Sequence, residues 1–309
     1  MNVQTILLIG ANGQLGTDIA RVLVGNKKYR LIPLTHTDIE VSDRSRVKEV
    51  IHTFRPDIII NTAAYHNVEE AEDNAQKAFE VNCIALQYLS QFCNELNTTL
   101  VFISTDYVFG IDEAKKTPYN ERDCPGPVNM YGVSKLAGEY VIQQNCSRYF
   151  ILRTSGLFGR SGPSGKGGKN FVETMISLAQ QNRTIRAVDD QVASPTYTVD
   201  LARQIIVFLE TDAYGLYHAS ASGSCSWYEF ARQIFSYIGM DVHIEAVDSS
   251  VFPTKAKRPK YSALDNYKLR KNKLSVMRHW TEGLRDYLIE KSYIDTRAHR
   301  AINSRYLKK

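Results

Sequence analysis

Five short apolar runs divide the first half of the chain: TILLIG (5–10), YRLIPL (29–34), PDIIINTAA (56–64), TLVFIST (99–105) and YFILRTS (149–155). Each has strand length and little apolar–polar alternation, so both faces of each strand are meant for burial. Helical stretches separate them. TDIARVLVG (17–25) follows a glycine turn with Thr17 as N-cap candidate, DRSRVKEVIHTF (43–54) is opened by Asp43, and NAQKAFEVNCIALQYLSQFCNELN (74–97) and YGVSKLAGEYVIQQ (131–144) follow. Strand and helix in alternation predict an α/β fold: a Rossmann-type doubly wound parallel sheet covered on both sides. Ligands of such sheets lie across the carboxyl ends of the strands, so polar residues just after each strand are the functional candidates.

From about residue 156 the pattern loosens. GRSGPSGKGGKN (159–170) reads as a mobile glycine-rich loop with two lysines beside a ligand. It is no P-loop, because no Gly-Lys-Ser/Thr stands at the required spacing. FVETMISLAQQ (171–181) and SWYEFARQIFSYIG (226–239) are amphipathic helices, and GLYHAS (215–220) is a short strand. The expected organisation is a cofactor domain over 1–155, with later returns near 185–212. Residues 156–309 form mainly a smaller, interleaved C-terminal α/β lobe that binds substrate.

The chain of 309 residues carries a net charge of +5, concentrated in KAKRPK (255–260), KLRKNK (268–273) and the tail SRYLKK. No zinc-finger, basic-zipper or RNA-binding sheet motif accompanies that charge, so a phosphorylated small molecule ranks above nucleic acid as partner. No signal segment opens the chain and no apolar run is long enough to span a bilayer. The five cysteines show no CxxC spacing. Free thiols and a cytoplasmic location without membrane attachment are expected.

GANGQLG sets Gly10, Gly13 and Gly16 between the first strand and the first helix, with Asn12, Gln14 and Leu15 in the same turn. Glycines there let backbone approach a pyrophosphate at a helix N-terminus, the signature of a dinucleotide site. The second strand ends in Thr35-His36 rather than an acid, which permits NADPH as well as NADH. Asp38 or Glu40 could still be that acid, and Glu40-Val41 is a candidate for the adenine edge. Ala63 and Ala64, with Tyr65 beside them, are small enough after the third strand for a cofactor to lie against the backbone. Ser104, Thr105 and Asp106 place two hydroxyls and a carboxylate at the end of the fourth. Tyr131 and Lys135 stand one helical turn apart. An ammonium there favours the phenolate and reaches a nicotinamide ribose, so Tyr131 is read as the proton-exchanging group and Lys135 as its helper. Hydride transfer itself belongs to the nicotinamide.

Taken together, GANGQLG, RPDIIINTAAY, STDYVFG, YGVSKLAGE, RTSGLFG, NFVETM, DDQVASPTYTVDLA and KRPKYSALDN resemble the extended short-chain dehydrogenase/reductase family. Within it the likeness is to the branch that reduces a 4-keto, nucleotide-linked deoxysugar, dTDP-4-dehydro-L-rhamnose to dTDP-L-rhamnose. The resemblance implies an NAD(P)H-dependent oxidoreductase with Tyr131 as proton donor and Lys135 as its helper. Thr105, Asp106, Ser155 and Asn170 are implied near the sugar. Pro195 and Thr196 are expected at the sugar end, and Arg258 suits the diphosphate, since guanidinium grips phosphate oxygens bidentately. Many members carry Trp where Gly156 stands here; Tyr65, Tyr107 or Phe158 are the expected substitutes. His66, His218 and Trp227 read as structural, and no His/Cys/Asp grouping has metal-ligand spacing. A homodimer is compatible with the family. Two other readings share the fold: a nucleotide-sugar epimerase or dehydratase, though STDYVF lacks the second acid of a dehydratase, and a non-catalytic regulatory subunit, which has no need of Tyr131, Lys135 and Thr105.

Overall fold

The computed structural model describes residues 3–162, 168–181 and 184–294. The basic tail SRYLKK and residues 163–167 of the glycine-rich loop lie outside the described residues.

Six parallel strands form the main sheet: β1 (Gln4–Ile9), β2 (Tyr29–Leu34), β3 (Ile58–Asn61), β4 (Thr99–Thr105), β5 (Tyr149–Thr154) and β6 (Gly215–His218). Their order is β6-β5-β4-β3-β1-β2. The chain winds outward in both directions from β1 and β3, and the crevice between those two is the switch point where such sheets bind ligands. The apolar runs explain the layering. In β1, Leu7 and Ile9 face one core with Val47, Ile51, Leu89 and Phe92, while Ile6 and Leu8 face the other with Ile19, Leu201, Ile205 and Phe208. Burial on both faces is what the missing alternation demands.

Helices α1 (Gln14–Leu23), α2 (Arg44–Phe54), α3 (Ala85–Glu95) and α4 (Met130–Asn145) cover the sheet. Asp43 caps α2 by accepting from the Ser45 and Arg46 amides, as its position suggests. The first helix starts earlier than Thr17: Gly13 is its N-cap, and the Thr17 hydroxyl donates to the Gly13 carbonyl at 3.1 Å. The long stretch 74–97 contains a π-helical turn, Glu80–Ile84, just before α3. That wider turn sets Asn82 to exchange two hydrogen bonds with the Tyr65 backbone, at 2.9 and 3.0 Å, and to donate to Ser134 of α4. It also lets α4 come close, since a Cβ on Gly138 would strike the Asn82 carbonyl. Among the described residues no helix is long and apolar enough to cross a membrane.

The second lobe packs its own core from α5 (Phe171–Gln180), α7 (Trp227–Ile238) and α8 (Trp280–Glu290), including Phe158, Ile176, Phe230, Ile234 and Tyr287. The strand at 215–218 is not part of it. That run pairs with β5 and completes the main sheet, and α6 (Thr198–Leu209), which leads to it, packs on α1. Ile185–Val188 does not rejoin the main sheet but pairs with Ile244–Val247 in a two-stranded sheet. A strap over 260–265 then ties the lobes together: Val192 donates to the Lys260 carbonyl at 2.8 Å, and Tyr119 donates to the Ala263 carbonyl at 2.8 Å.

Candidate active site

A cleft of about 820 Å³ runs along the carboxyl ends of β1, β3, β4 and β5 and is closed on its far side by the second lobe. Its floor at one end is the turn after β1. Gly10 has φ +81°, and a Cβ there would come within 2.6 Å of the Thr62 hydroxyl. A Cβ on Gly16 would collide with the Gly10 carbonyl oxygen, so this glycine serves helix–turn packing and does not itself line the cleft. Gly10, Asn12, Gly13, Gln14 and Leu15 do line it. Helix α1 opens with no side-chain cap and no acid in its first turn, leaving its amides available at the cleft. The buried Gln14 Oε1 has no partner among the described residues. Uncapped amides fit the diphosphate of a dinucleotide, whose charge the helix terminus favours.

Val41, Ala63, Ala64 and Ser104 line the same cleft, but Glu40 and Tyr65 do not. Glu40 is held by the Ser42 amide and hydroxyl at 3.0 and 2.7 Å and pairs with His36, while Asp38 accepts from the Thr35 amide at 2.8 Å. Both acids are thus occupied by local turns, and Thr35 and His36 take the rim. The Tyr65 ring points away, its hydroxyl donating to Glu70 at 3.2 Å.

At the other end stand Thr105, Asp106, Tyr131 and Lys135. Asp106 is almost wholly buried at the end of β4 and accepts from the Ser155 hydroxyl at 2.9 Å and the Ser262 hydroxyl at 2.6 Å. Burial pushes its carboxyl up to about 6, against the pull of those donors. The Tyr131 phenol stands beside the Thr105 hydroxyl, which donates to Asp106 at 3.2 Å, and burial holds the phenol's pKa well above that of a free one. Lys135 does not lower it in the expected way. Its ammonium donates to the Ile103 carbonyl at 2.6 Å and lies 4.1 Å from the centre of the Phe102 ring. Burial brings that ammonium down to about 7, while Glu139 one turn further on opposes the fall. Tyr131 is therefore a neutral acid at neutral pH.

A scan against family models matches residues 4–293 to one described as the RmlD substrate binding domain. The chain belongs to this family. It is 39% identical over 288 residues to the spore coat polysaccharide biosynthesis protein SpsK of Bacillus subtilis, covering 93% of this chain and 98% of that protein. It is 36% identical over 276 residues to a dTDP-4-dehydrorhamnose reductase of Aggregatibacter actinomycetemcomitans, covering 85% and 91%. Among solved structures, the dTDP-4-dehydrorhamnose reductase of Bacillus anthracis in complex with NADP superposes with a TM-score of 0.88 at 39% identity, over 94% of this chain and all of that one.

The remaining sequence-derived residues divide. Arg258 lines the cleft and pairs with Glu69 at 2.8 Å. Asn170 lines it too, yet both of its amide donors are committed, to the Gly159 carbonyl at 3.1 Å and the Tyr287 hydroxyl at 2.9 Å. Ser155 lies behind the wall and acts through Asp106. Pro195 and Thr196 are outside the lining, and Thr196 is buried and bonds to the Ser194 carbonyl at 2.9 Å. His218, read as structural, is buried, with its ring held by the Tyr119 carbonyl at 3.0 Å. His66 and Trp227, read as structural, instead face the cleft, as do Phe171, Phe230 and Ser262. Of the three expected substitutes for a Trp at 156, Tyr107 and Phe158 reach the lining and Tyr65 does not. The one sequence sign for Trp227 was its place straight after the Ser226 cap; nothing local says which way an indole at a helix start points.

Proposed function

We propose that this chain reduces the 4-keto group of a dTDP-linked 6-deoxysugar, dTDP-4-dehydro-L-rhamnose to dTDP-L-rhamnose, with NADPH. The observation that carries the reading is that Tyr131 and Thr105 line the same cleft as the glycine turn, the phenol beside the hydroxyl. Two hydroxyls converging on one point suit a carbonyl oxygen that must be held and then protonated. The named relatives support the substrate class, and the NADP-bound neighbour supports the cofactor.

In this reading the reduced nicotinamide supplies the hydride to the sugar's carbonyl carbon. The Thr105 hydroxyl donates to the carbonyl oxygen and orients it. Tyr131, kept protonated by burial, delivers its proton as the oxygen gains charge, and the product is a secondary alcohol. The phenolate left behind recovers a proton from solvent. Asp106 fixes the end of β4 through Ser155 and Ser262. Arg258 is suited to the diphosphate, exchanging Glu69 for phosphate oxygens. Free thiols at all five cysteines fit work in the reducing cytoplasm, where NADPH is kept reduced.

The test is NADPH consumption with dTDP-4-dehydro-L-rhamnose by wild type and by Y131F. Turnover that falls by about 10²–10⁴-fold in the variant, with NADPH binding retained, supports the reading. Equal rates in both proteins, or no turnover by wild type, sink it.

A further inference from the structure

The cleft has an aromatic wall that the chemistry above does not use. Trp227 and Phe171 are the first residues of α7 and α5, and their ring centroids lie 4.8 Å apart at 42°. Phe230 backs Phe171 at 5.6 Å and 20°. The start of α7 is fixed by a reciprocal cap: the Glu229 amide donates to the Ser226 hydroxyl at 3.1 Å, and the Ser226 amide to the Glu229 carboxylate at 2.8 Å. Ser226 also donates to Asp189 at 2.5 Å. The start of α5 is held by Asn170. These anchors place two rings on rigid supports, with the indole half-buried and one side open to the cleft.

Opposite the indole stands Gly156, with φ +53°. A Cβ there would touch Trp227 Cη2 at 3.6 Å and the Pro195 backbone at 3.2 Å. The absence of a side chain thus lets the tip of an indole from the second lobe overhang the end of β5. Its neighbour Ser155 is bonded to Asp106, so this tip reaches the end of the cleft where Thr105 and Tyr131 stand. The ring belonging there presents C–H groups and few polar atoms on one face, which is what an aromatic surface takes up.

We infer that Trp227 is a specificity-determining residue, whose indole packs against the C–H face and methyl group of the deoxysugar. The inference rests on the proposed function for the identity of that sugar. Because Trp227 comes from the second lobe and Tyr131 from the first, a bound sugar ring is clasped between the lobes.

Two measurements separate this inference from the reading it rests on. The first compares KM for dTDP-4-dehydro-L-rhamnose in wild type, W227A and W227F, with dTDP as competitor. W227A should raise KM about tenfold and W227F should recover part of the loss. NADPH and dTDP should bind both variants as they bind wild type. An unchanged KM in a W227A protein with native circular dichroism overturns the inference. So does a loss of dTDP affinity in the same proportion, because the wall then serves the base. The second needs no turnover. Trp227 and Trp280 are the only tryptophans, and Trp280 is buried away from the cleft. In W280F, dTDP-L-rhamnose should quench the remaining indole well beyond dTDP at saturation; equal quenching overturns the inference even if wild type proves inactive.

Discussion

Arg153 grips Glu139 through two hydrogen bonds, Nε to Oε1 at 2.9 Å and Nη2 to Oε2 at 2.6 Å, with the pair 4% and 0% exposed. Ser104 adds a third donor to the same carboxylate at 2.5 Å. Burying two charges this deeply is offset only while both partners and their hydrogen bonds remain. E139A leaves a buried guanidinium without a counter-charge, and it should cost about 3–5 kcal/mol of stability. The double variant E139L/R153M should recover much of that loss. Thermal unfolding of the three proteins checks it; additive losses would mean that the pair is not coupled.

The pH dependence of kcat/KM should be bell-shaped. The acid limb falls below about 6 as Asp106 takes up a proton, and the alkaline limb falls above about 7 as Lys135 loses one. D106N should flatten the acid limb and leave the alkaline limb in place. A profile without an alkaline limb would show that the ammonium is dispensable in the free enzyme.

Asp106 also makes a stability prediction with a definite sign. Its ordinary value is 3.8 and its folded value about 6, so between the two the folded chain holds a proton that the unfolded chain has released. Stability therefore falls as pH rises through that window, by up to about 3 kcal/mol relative to D106N. Parallel unfolding curves for the two proteins between pH 4 and about 6 would contradict the assignment.

Gly16 is tested by G16A. Its new methyl group strikes the Gly10 carbonyl oxygen and the Ala11 backbone, so the turn must move. A loss of about 1–3 kcal/mol is expected, together with NADPH affinity lower by about tenfold or more. Isothermal titration reads the second effect; unchanged affinity would separate Gly16 from the cofactor turn altogether.

Cofactor choice should follow the rim after β2. Since Asp38 and Glu40 are occupied by Thr35, Ser42 and His36, no free carboxylate faces a 2′-phosphate there among the described residues. H36D supplies one. It should lower kcat/KM for NADPH by about tenfold or more and leave NADH within a few-fold of wild type. An equal loss with both cofactors would assign His36 to the adenine rather than to the phosphate.

The sheet was legible because it answers to local rules. IIIN and TLVFIST are apolar on both faces, and only a parallel sheet between two helical layers buries such runs. The polar ends of those strands were legible for the same reason, which is why Thr105, Asp106, Tyr131 and Lys135 stand in one cleft. GLYHAS was legible as a short strand but not as part of the main sheet, because a four-residue strand carries no sign of its partner. Trp227, Phe171 and Ser262 were hidden by a related limit: each arrives from a different element of the second lobe or the strap, and their meeting is a property of packing. Lys135 shows a third limit. Helical spacing put it beside Tyr131, but a long side chain can reach elsewhere, and here its ammonium donates to the Ile103 carbonyl.

The hydroxyl that Ser262 brings to Asp106 has a bearing on how the protein is made. A ribosome delivers the glycine turn, Tyr131 and Lys135 in the first half of its work, and those residues belong to a sheet completed by residue 218. Arg258 and Ser262 emerge some forty residues later. A nascent chain thus acquires the floor of the cleft well before its far wall. Until the strap has crossed, the cleft stays open on one side.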